Sequence, residues 1–309
     1  MSNNRFNIWM AQIRANFLLL AVLLVFIGLA AALRMPGIRS FTWWEVMLLF
    51  SGVISAHISV NLFNEYSDFN TKIDFKTNRT PFSGGTGMLT SGHTTARQVL
   101  TAAIGTLVFA LFSGIYFSIT SHWSIIIIAV IGAFSVVFYT NFLARYALGE
   151  FFSGLSLGSL VVIGAYISLT ATPGLSVSQL LPAAVIWLSV PPGILTLLLL
   201  FINEIPDVDA DKAGGRRHLV ILMGKKAASR VYMAGLVITF AIVILLPLIG
   251  LASPWLLIAL LPLPLAVKAS IVAMKEYGNT ERLIPALVSN VITVLSVDLL
   301  LGVGILLGS

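Results

Sequence analysis

The sequence has no cysteine in its 309 residues and few charged side chains. The lack of cysteine excludes disulfide bonds, iron–sulfur clusters and catalysis by a thiolate. Charged residues make up 10% of the chain, whereas a typical soluble domain has roughly a quarter. A water-soluble globular fold is therefore not expected.

Hydrophobic residues instead make up 58% of the chain and occur in long runs. Runs of about 20 apolar residues are long enough to cross a ~30 Å hydrocarbon layer as helices. No small-residue cleavage site follows the first run, so we expect it to be retained as a membrane span. We predict an all-α, multi-pass membrane bundle, a single domain over 1–309, with about nine helices around a central cavity: 15–33, 44–63, 98–119, 124–143, 148–171, 180–203, 229–250, 254–274 and 284–307.

The net charge of +6 could indicate a nucleic-acid ligand, but the positions of the charges argue otherwise. They lie in short connections beside apolar runs, where basic residues mark the cytoplasmic side of a membrane protein. With the N-terminus inside, all 18 lysines and arginines except Arg34 and Arg39 fall on that side. The expected partner is therefore the lipid bilayer rather than nucleic acid, with the N-terminus cytoplasmic and the C-terminus outside.

Two of the predicted cytoplasmic connections, 64–97 and 203–229, are long and polar. Together they hold seven of the 12 acidic residues, and loops of that length in a compact bundle are usually functional or disordered. Each begins with an Asn followed four positions later by an Asp, and the two patterns are 139 residues apart. This spacing predicts two parallel four-helix units with a ninth helix appended, and a site where the units meet.

The acidic patterns have the chemistry of a magnesium–diphosphate site. On a continuous helix, positions i, i+4 and i+8 share one face, so the second pattern can converge on one point, although Pro206 is expected to disturb the helix there. Carboxylate and amide oxygens suit Mg²⁺, which often shares its shell with phosphate oxygens. The alternative is ordinary solvated loop charges and helix caps. The candidate ligands are Asn64, Asp68, Asp74, Asn203, Asp207 and Asp211, with Lys72, Lys76, Arg79, Lys212, Arg216 and Arg217 as the neighbouring bases.

These motifs resemble the two aspartate-rich signatures of the UbiA superfamily of intramembrane prenyltransferases. The likeness is greatest to the branch of 1,4-dihydroxy-2-naphthoate prenyltransferases of menaquinone synthesis, whose first motif also places its last Asp six positions after the middle one. Lys72 and Tyr146 depart from the family, which often has Gly and a basic residue there. Further matching stretches are RTPFSGGTGML at Arg79–Leu89, YTNFLARYALGEF at Tyr139–Phe151 and RRHLVILMG at Arg216–Gly224.

The resemblance implies a bundle capped by two cytoplasmic loops, in which the six motif residues hold Mg²⁺ on a prenyl diphosphate. Asp68 and Asp207 are then central to catalysis, and the allylic cation is attacked by an aromatic acceptor, expected to be a dihydroxynaphthoate. Tyr139 could stabilise the cation through its π-face, or lie at the membrane interface as a belt aromatic. Arg145 could bind the diphosphate or the acceptor carboxylate.

Other polar residues are open to two interpretations. His57 and Asn61, shortly before the first motif, are candidates for substrate binding, although a hydrogen-bonded core histidine is the commoner case. Asp298, in the middle of the last helix, is costly to bury and often functional in such a place; it could pair with Asn290. The glycines of the SGGTG stretch match no nucleotide-binding fingerprint and are expected to form a flexible lid.

Three other functions fit parts of the pattern. A transporter would explain the repeats and Asp298, but its site would lie near the membrane midplane, whereas these carboxylates gather at one face. A membrane terpene cyclase would keep the metal site and need no acceptor. A prenyltransferase acting on hydroxybenzoate or a glycerol phosphate lipid would differ only in the acceptor.

The predicted orientation can be tested with reporter fusions after Ala171 and after Gly224. Because an odd number of helices precedes the first position and an even number precedes the second, the two reporters should face opposite sides. Reporters on the same side would contradict the orientation and the helix count together.

Overall fold

The computed structural model describes residues 5–35, 37, 39–75, 79–80 and 84–308, and these are almost entirely helical. A short N-terminal helix, Arg5–Gln12, precedes the membrane helices. The latter are α1 Ala15–Arg34, α2 Trp43–Asn70, α3 Ala96–Thr120, α4 Ser124–Phe138, α5 Gly149–Thr170, α6 Ala183–Ala213, α7 Lys225–Leu248, α8 Pro254–Glu276 and α9 Thr280–Leu307.

In the described part of the chain, eight of these helices are long and apolar enough to cross a membrane. The ninth, α4, has 15 residues, which corresponds to about 22 Å at 1.5 Å per residue. The all-α membrane bundle is therefore confirmed, and the count of nine is approximate. The sequence prediction carried α4 to residue 143, but the helix ends at Phe138 because the Thr140 and Asn141 side chains pair with α2 instead.

Helices α2 and α6 extend well past their predicted ends at 63 and 203, to Asn70 and Ala213. Both motifs therefore begin on the inner ends of these helices, as expected, and the polar connections begin later along the chain than the predicted Asn64 and Asn203. The expected disturbance at Pro206 also does not end α6. A proline removes one backbone hydrogen bond, but Ile202 and Ile205 beside it are fully buried in the core, and their packing holds the helix in place.

The bundle has one densely packed side and one side that encloses a cavity. The largest cluster of buried apolar residues joins α1, α6, α7, α8 and α9. The predicted cavity is present, but among the described residues only the N-terminal segment and α1 to α6 line it. The last three helices thus support α6, which carries the second motif.

Helices α5 and α6 approach each other closely because glycines face each other at the contact. A Cβ atom built on Gly158 would lie 2.6 Å from the Cα of Gly193, so no larger residue fits. The same turn of α5 is a π-helical segment, Leu155–Ser159, and the Ser159 hydroxyl donates to the carbonyl of Ser189 at 2.9 Å. This contact fixes the height of α6 against α5.

Candidate functional site

The cavity is an apolar pocket of about 300 Å³ with a polar end. Small residues such as Gly52, Gly132 and Gly164 form much of its wall and leave room between the helices. Its polar side chains include Asn64 and Asn203, the first residues of the two motifs. The cavity therefore leads from the hydrocarbon region of the bundle to the acidic motifs.

Arg216 joins the two motifs across the helices that carry them. Its guanidinium forms an ion pair with Asp68 on α2 and another with Asp211 on α6, the latter at 2.8 Å. Burial alone would lower the pKa of Arg216, but the two carboxylates raise it above its ordinary value, so the side chain stays charged. The predicted convergence of the motifs is thus visible as two carboxylates that share one cation.

Asp74 completes the acidic group from the turn that follows α2. It is 4% exposed, and burial together with the charges of Asp68 and Glu65 raises its pKa to about 7. A Cβ atom on Gly85 would lie 2.5 Å from its Oδ1, so the glycine stretch closes directly over this carboxyl. A divalent cation bound at Asp74 would favour the ionised carboxylate and compete with its proton.

The described members of the second motif lie on one helix face, as the spacing predicts. Asp207 is half-buried one turn before the buried Asp211. Between them, Asp209 points away, with its side chain 91% exposed and 3.8 Å from Lys225. Asn64 accepts a hydrogen bond from Thr140 at 2.8 Å, which ties the first motif to the end of α4.

The predicted diphosphate-binding bases differ in how close they lie to the acidic group. Arg79 is held beside it, since its guanidinium lies 2.5 Å from Thr90 Oγ1 and contacts the Asp74 carbonyl at 3.4 Å. Lys76 lies outside the described residues. The remaining predicted bases are exposed, and none of them forms an ion pair with a motif carboxylate among the described residues: Lys72, Arg145, Lys212 and Arg217.

His57, Asn61 and Tyr139, all predicted from sequence, line the cavity. The Nδ1 atom of His57 is buried and has no hydrogen-bond partner among the residues described. This finding argues against the alternative that His57 is a hydrogen-bonded core histidine. The amide of Asn61 donates to the Ile13 carbonyl at 2.9 Å. Arg14 was not predicted as a site residue from the sequence. It is the one lysine or arginine among the described residues that line the cavity.

Glu65 is a second residue that sequence reasoning missed, and it holds the cover of the site together. Its buried carboxylate accepts from Arg14 at 3.2 Å, from Gln12 at 3.2 Å, and from the amide and hydroxyl of Thr86 at 2.7 and 2.8 Å. The N-terminal segment and the glycine stretch are thus fixed to α2 at the residue beside Asn64. The expected lid is tied down at this point.

Glu204 takes the corresponding place in the second motif. It follows Asn203 as Glu65 follows Asn64, again 139 residues apart. Its carboxylate lies 3.6 Å from Nδ1 of His218, and the other ring nitrogen of His218 lies 3.2 Å from Asp211. The repeated Asn-Glu pair is visible in the sequence and is the signal by which both glutamates could have been found.

Asp298 is fully buried on α9 and does not line the cavity. Neither of its carboxyl oxygens has a hydrogen bond in the part of the chain described. The suggested pairing with Asn290 is wrong, because the Nδ2 donor of Asn290 also has no hydrogen-bond partner among the described residues, and its Oδ1 accepts from the hydroxyl of Tyr232 at 2.7 Å. Asp298 is therefore separate from the motif site.

Replacing Glu65 by Gln should loosen the cover without moving the motif carboxylates. Losing a charge-assisted hydrogen-bond acceptor costs about 1–3 kcal/mol, so amide hydrogen exchange over residues 5–14 and 84–94 should become about ten- to a hundredfold faster. Glu45→Gln is the matched control, since Glu45 pairs with Arg39 at the opposite end of α2. Equal protection of both segments in wild type and Glu65→Gln would refute the role of Glu65.

Comparison with known proteins gives one consistent family. Residues 21–291 match the model of the UbiA prenyltransferase family. The chain is 31% identical over 248 residues to the 1,4-dihydroxy-2-naphthoate octaprenyltransferase of Bacillus subtilis (strain 168), covering 75% of this chain and 76% of that one. It is 25% identical to the enzyme of the same name from Escherichia coli (strain K12), with 96% of each chain covered.

Solved structures show the same fold. The apo structure of a UbiA homologue from Aeropyrum pernix K1 superposes with a TM-score of 0.73 at 17% identity, over 94% of this chain and 98% of that one. A UbiA homologue from Archaeoglobus fulgidus, bound to DMAPP and Mg²⁺, gives a TM-score of 0.59 at 12% identity, over 96% and 99% of the two chains.

Proposed function

Because the chain belongs to the UbiA prenyltransferase family, we propose that it transfers a prenyl group from an allylic diphosphate to an aromatic acceptor, with Mg²⁺ as cofactor. The observation that carries this proposal is the meeting of the two acidic motifs at the polar end of an apolar cavity. Asp68 and Asp211 lie close enough to share the guanidinium of Arg216. An anionic head and an apolar tail would each find a matching environment there.

The residues present fit a magnesium–diphosphate assembly. Asp68, Asp74, Asp207 and Asp211 with Asn64 and Asn203 supply only hard oxygen ligands of the kind Mg²⁺ prefers. When bound, the metal would neutralise the charge that develops on the departing diphosphate. Arg216 already holds its positive charge between two of these carboxylates, where it would add to the charge that attracts the diphosphate. Arg79, beside Asp74, supplies a second cation.

The reaction breaks the carbon–oxygen bond of the prenyl diphosphate, and the electron pair leaves with the diphosphate. The allylic carbon then forms a bond with an electron-rich ring carbon of the acceptor. Tyr139 lines the cavity beside Asn64 and Asn203, where its ring face can stabilise the cation. The apolar wall excludes water, which would otherwise capture the cation.

We propose a dihydroxynaphthoate as the acceptor, as in the relatives named above. Attack by the ring carbon that carries the carboxylate, followed by loss of CO₂, restores aromaticity. An acceptor carboxylate needs a cation inside the cavity. Arg145 is exposed to solvent and is not among the described residues that line the cavity. Arg14 lines the cavity, its side chain is 26% exposed, and it is anchored by Glu65. Arg14 therefore replaces Arg145 as our candidate for holding the acceptor.

We further propose that the motif ends of α2 and α6 face the cytoplasm, with the N-terminus inside and the C-terminus outside. The support is the distribution of lysine and arginine along the chain. In this orientation, the diphosphate head and the soluble acceptor reach the site from the cytosol, and the prenyl tail reaches it from the bilayer.

Replacing Asp68 or Asp207 by Ala should lower the rate of prenyl transfer by at least about a hundredfold, since each change removes a group that stabilises developing charge. Asp209→Ala is the matched control, because Asp209 lies between two motif residues but points into solvent. Transfer of a labelled prenyl group should also stop in EDTA and return with Mg²⁺. Full activity in EDTA, or an equal loss in Asp209→Ala, would contradict the proposed site.

The acceptor can be identified by offering purified protein one labelled prenyl diphosphate and a panel of dihydroxynaphthoate, hydroxybenzoate and glycerol phosphate. We expect a prenylated naphthoate product together with release of CO₂. Arg14→Gln should raise KM for the acceptor more than it lowers kcat, because the charge acts in binding. Prenylation of the glycerol phosphate alone would exclude the aromatic acceptor while leaving the prenyltransferase assignment intact.

A further inference from the structure

A second cluster of metal-binding side chains lies beside the six motif residues. Glu150 stands in the first turn of α5, Glu204 on α6, and His218 in the connection after α6. One ligand atom from each lies within 4.8 Å of the others. The three residues are 0%, 7% and 1% exposed, so bulk water does not stabilise their charges.

Each of the two carboxylates in this cluster has one oxygen without a hydrogen-bond partner among the described residues. Glu150 accepts from the backbone amide of Leu219 at 2.6 Å through Oε1. Its Oε2 and the Oε2 of Glu204 are buried and have no hydrogen-bond partner in the described part of the chain. Two neighbouring carboxylates buried away from water repel each other, and a cation bound between their Oε2 atoms would give both atoms a partner.

His218 is oriented as a metal ligand would be. Its Nε2 lies 3.2 Å from Asp211 Oδ2, and its Nδ1 lies 3.6 Å from Glu204 Oε2. The amide of Ile221 donates to Nδ1 at the long distance of 3.4 Å, and a metal ion bound at Nδ1 would replace this weak hydrogen bond. Metal-bound histidines commonly donate their second N–H to a carboxylate. Two ligands about 2.1 Å from a tetrahedral ion lie about 3.4 Å apart, close to the 3.6 Å between His218 Nδ1 and Glu204 Oε2, and all three ligand atoms lie within 4.8 Å of one another.

We propose that Glu150, Glu204 and His218 form a second metal site, specific for Zn²⁺. One nitrogen and two oxygen ligands suit zinc, with water completing the tetrahedron, whereas Mg²⁺ favours oxygen ligands alone. The bound ion pins the connection after α6 to the start of α5. It also fixes the ring of His218 and thereby positions Asp211. This inference is independent of the proposed prenyl transfer.

The test uses the full chain, stripped with a chelator and returned to excess Mg²⁺ without prenyl substrate. Zn²⁺ is then titrated, and bound zinc is measured by elemental analysis and by the shift of the unfolding temperature. We expect one zinc per wild-type chain and a raised unfolding temperature. Glu150→Gln should weaken zinc binding at least about tenfold, because even the loss of a residue that only hydrogen-bonds to a metal ligand has an effect of that size. Glu281→Gln, at an exposed position, should bind zinc as wild type does.

Asp68→Ala separates this site from the motif site, since it should keep the zinc. The inference is overturned if Glu150→Gln binds zinc as wild type does, or if Asp68→Ala loses it. X-ray absorption at the zinc edge of the wild-type protein gives a check that needs no variant. It should show nitrogen and oxygen ligands with one imidazole, and a shell without imidazole would also overturn the assignment.

Discussion

The ion pairs of Arg216 with Asp68 and Asp211 are the interaction on which the site depends. They join helices from the two halves of the chain, and the charges lie largely out of water, where removing one partner leaves the others uncompensated. Arg216 itself comes from the connection after α6, so the same contact fixes that connection over the cavity. The acidic groups of the two motifs and the connection after α6 are therefore held in one arrangement by a single, largely buried cation.

Each motif also has a glutamate directly after its asparagine, and the two glutamates organise opposite sides of the site. Glu65 gathers the N-terminal segment and the glycine stretch, while Glu204 faces Glu150 and His218. On a helix, consecutive residues point about 100° apart, so the asparagine can face the cavity while the glutamate faces the loop that covers it. The repeat thus supplies a proposed metal ligand and a supporting side chain from two adjacent positions.

Much of this could be predicted from the sequence, because membrane spans and acidic motifs are local patterns. The apolar runs located the helices, and the four-residue spacing placed Asp207 and Asp211 on one face. The helix ends were missed where polar residues continue a helix beyond the lipid, as in α2 and α6. Arg14 and His218 were missed because their importance comes from contacts 51 and seven residues away, and composition does not report such contacts. The exposure of Arg145 likewise depends on how the chain turns after α4.

The shortness of α4 has a consequence for the surrounding lipid. A hydrophobic helix of about 22 Å is shorter than the ~30 Å hydrocarbon layer, and a bilayer accommodates such a mismatch by thinning locally. Because α4 lines the cavity and is followed directly by Tyr139, thinning of this kind would occur next to the cavity. An amphiphile at the headgroup level would then meet the protein closer to the mouth of the site there than elsewhere around the bundle.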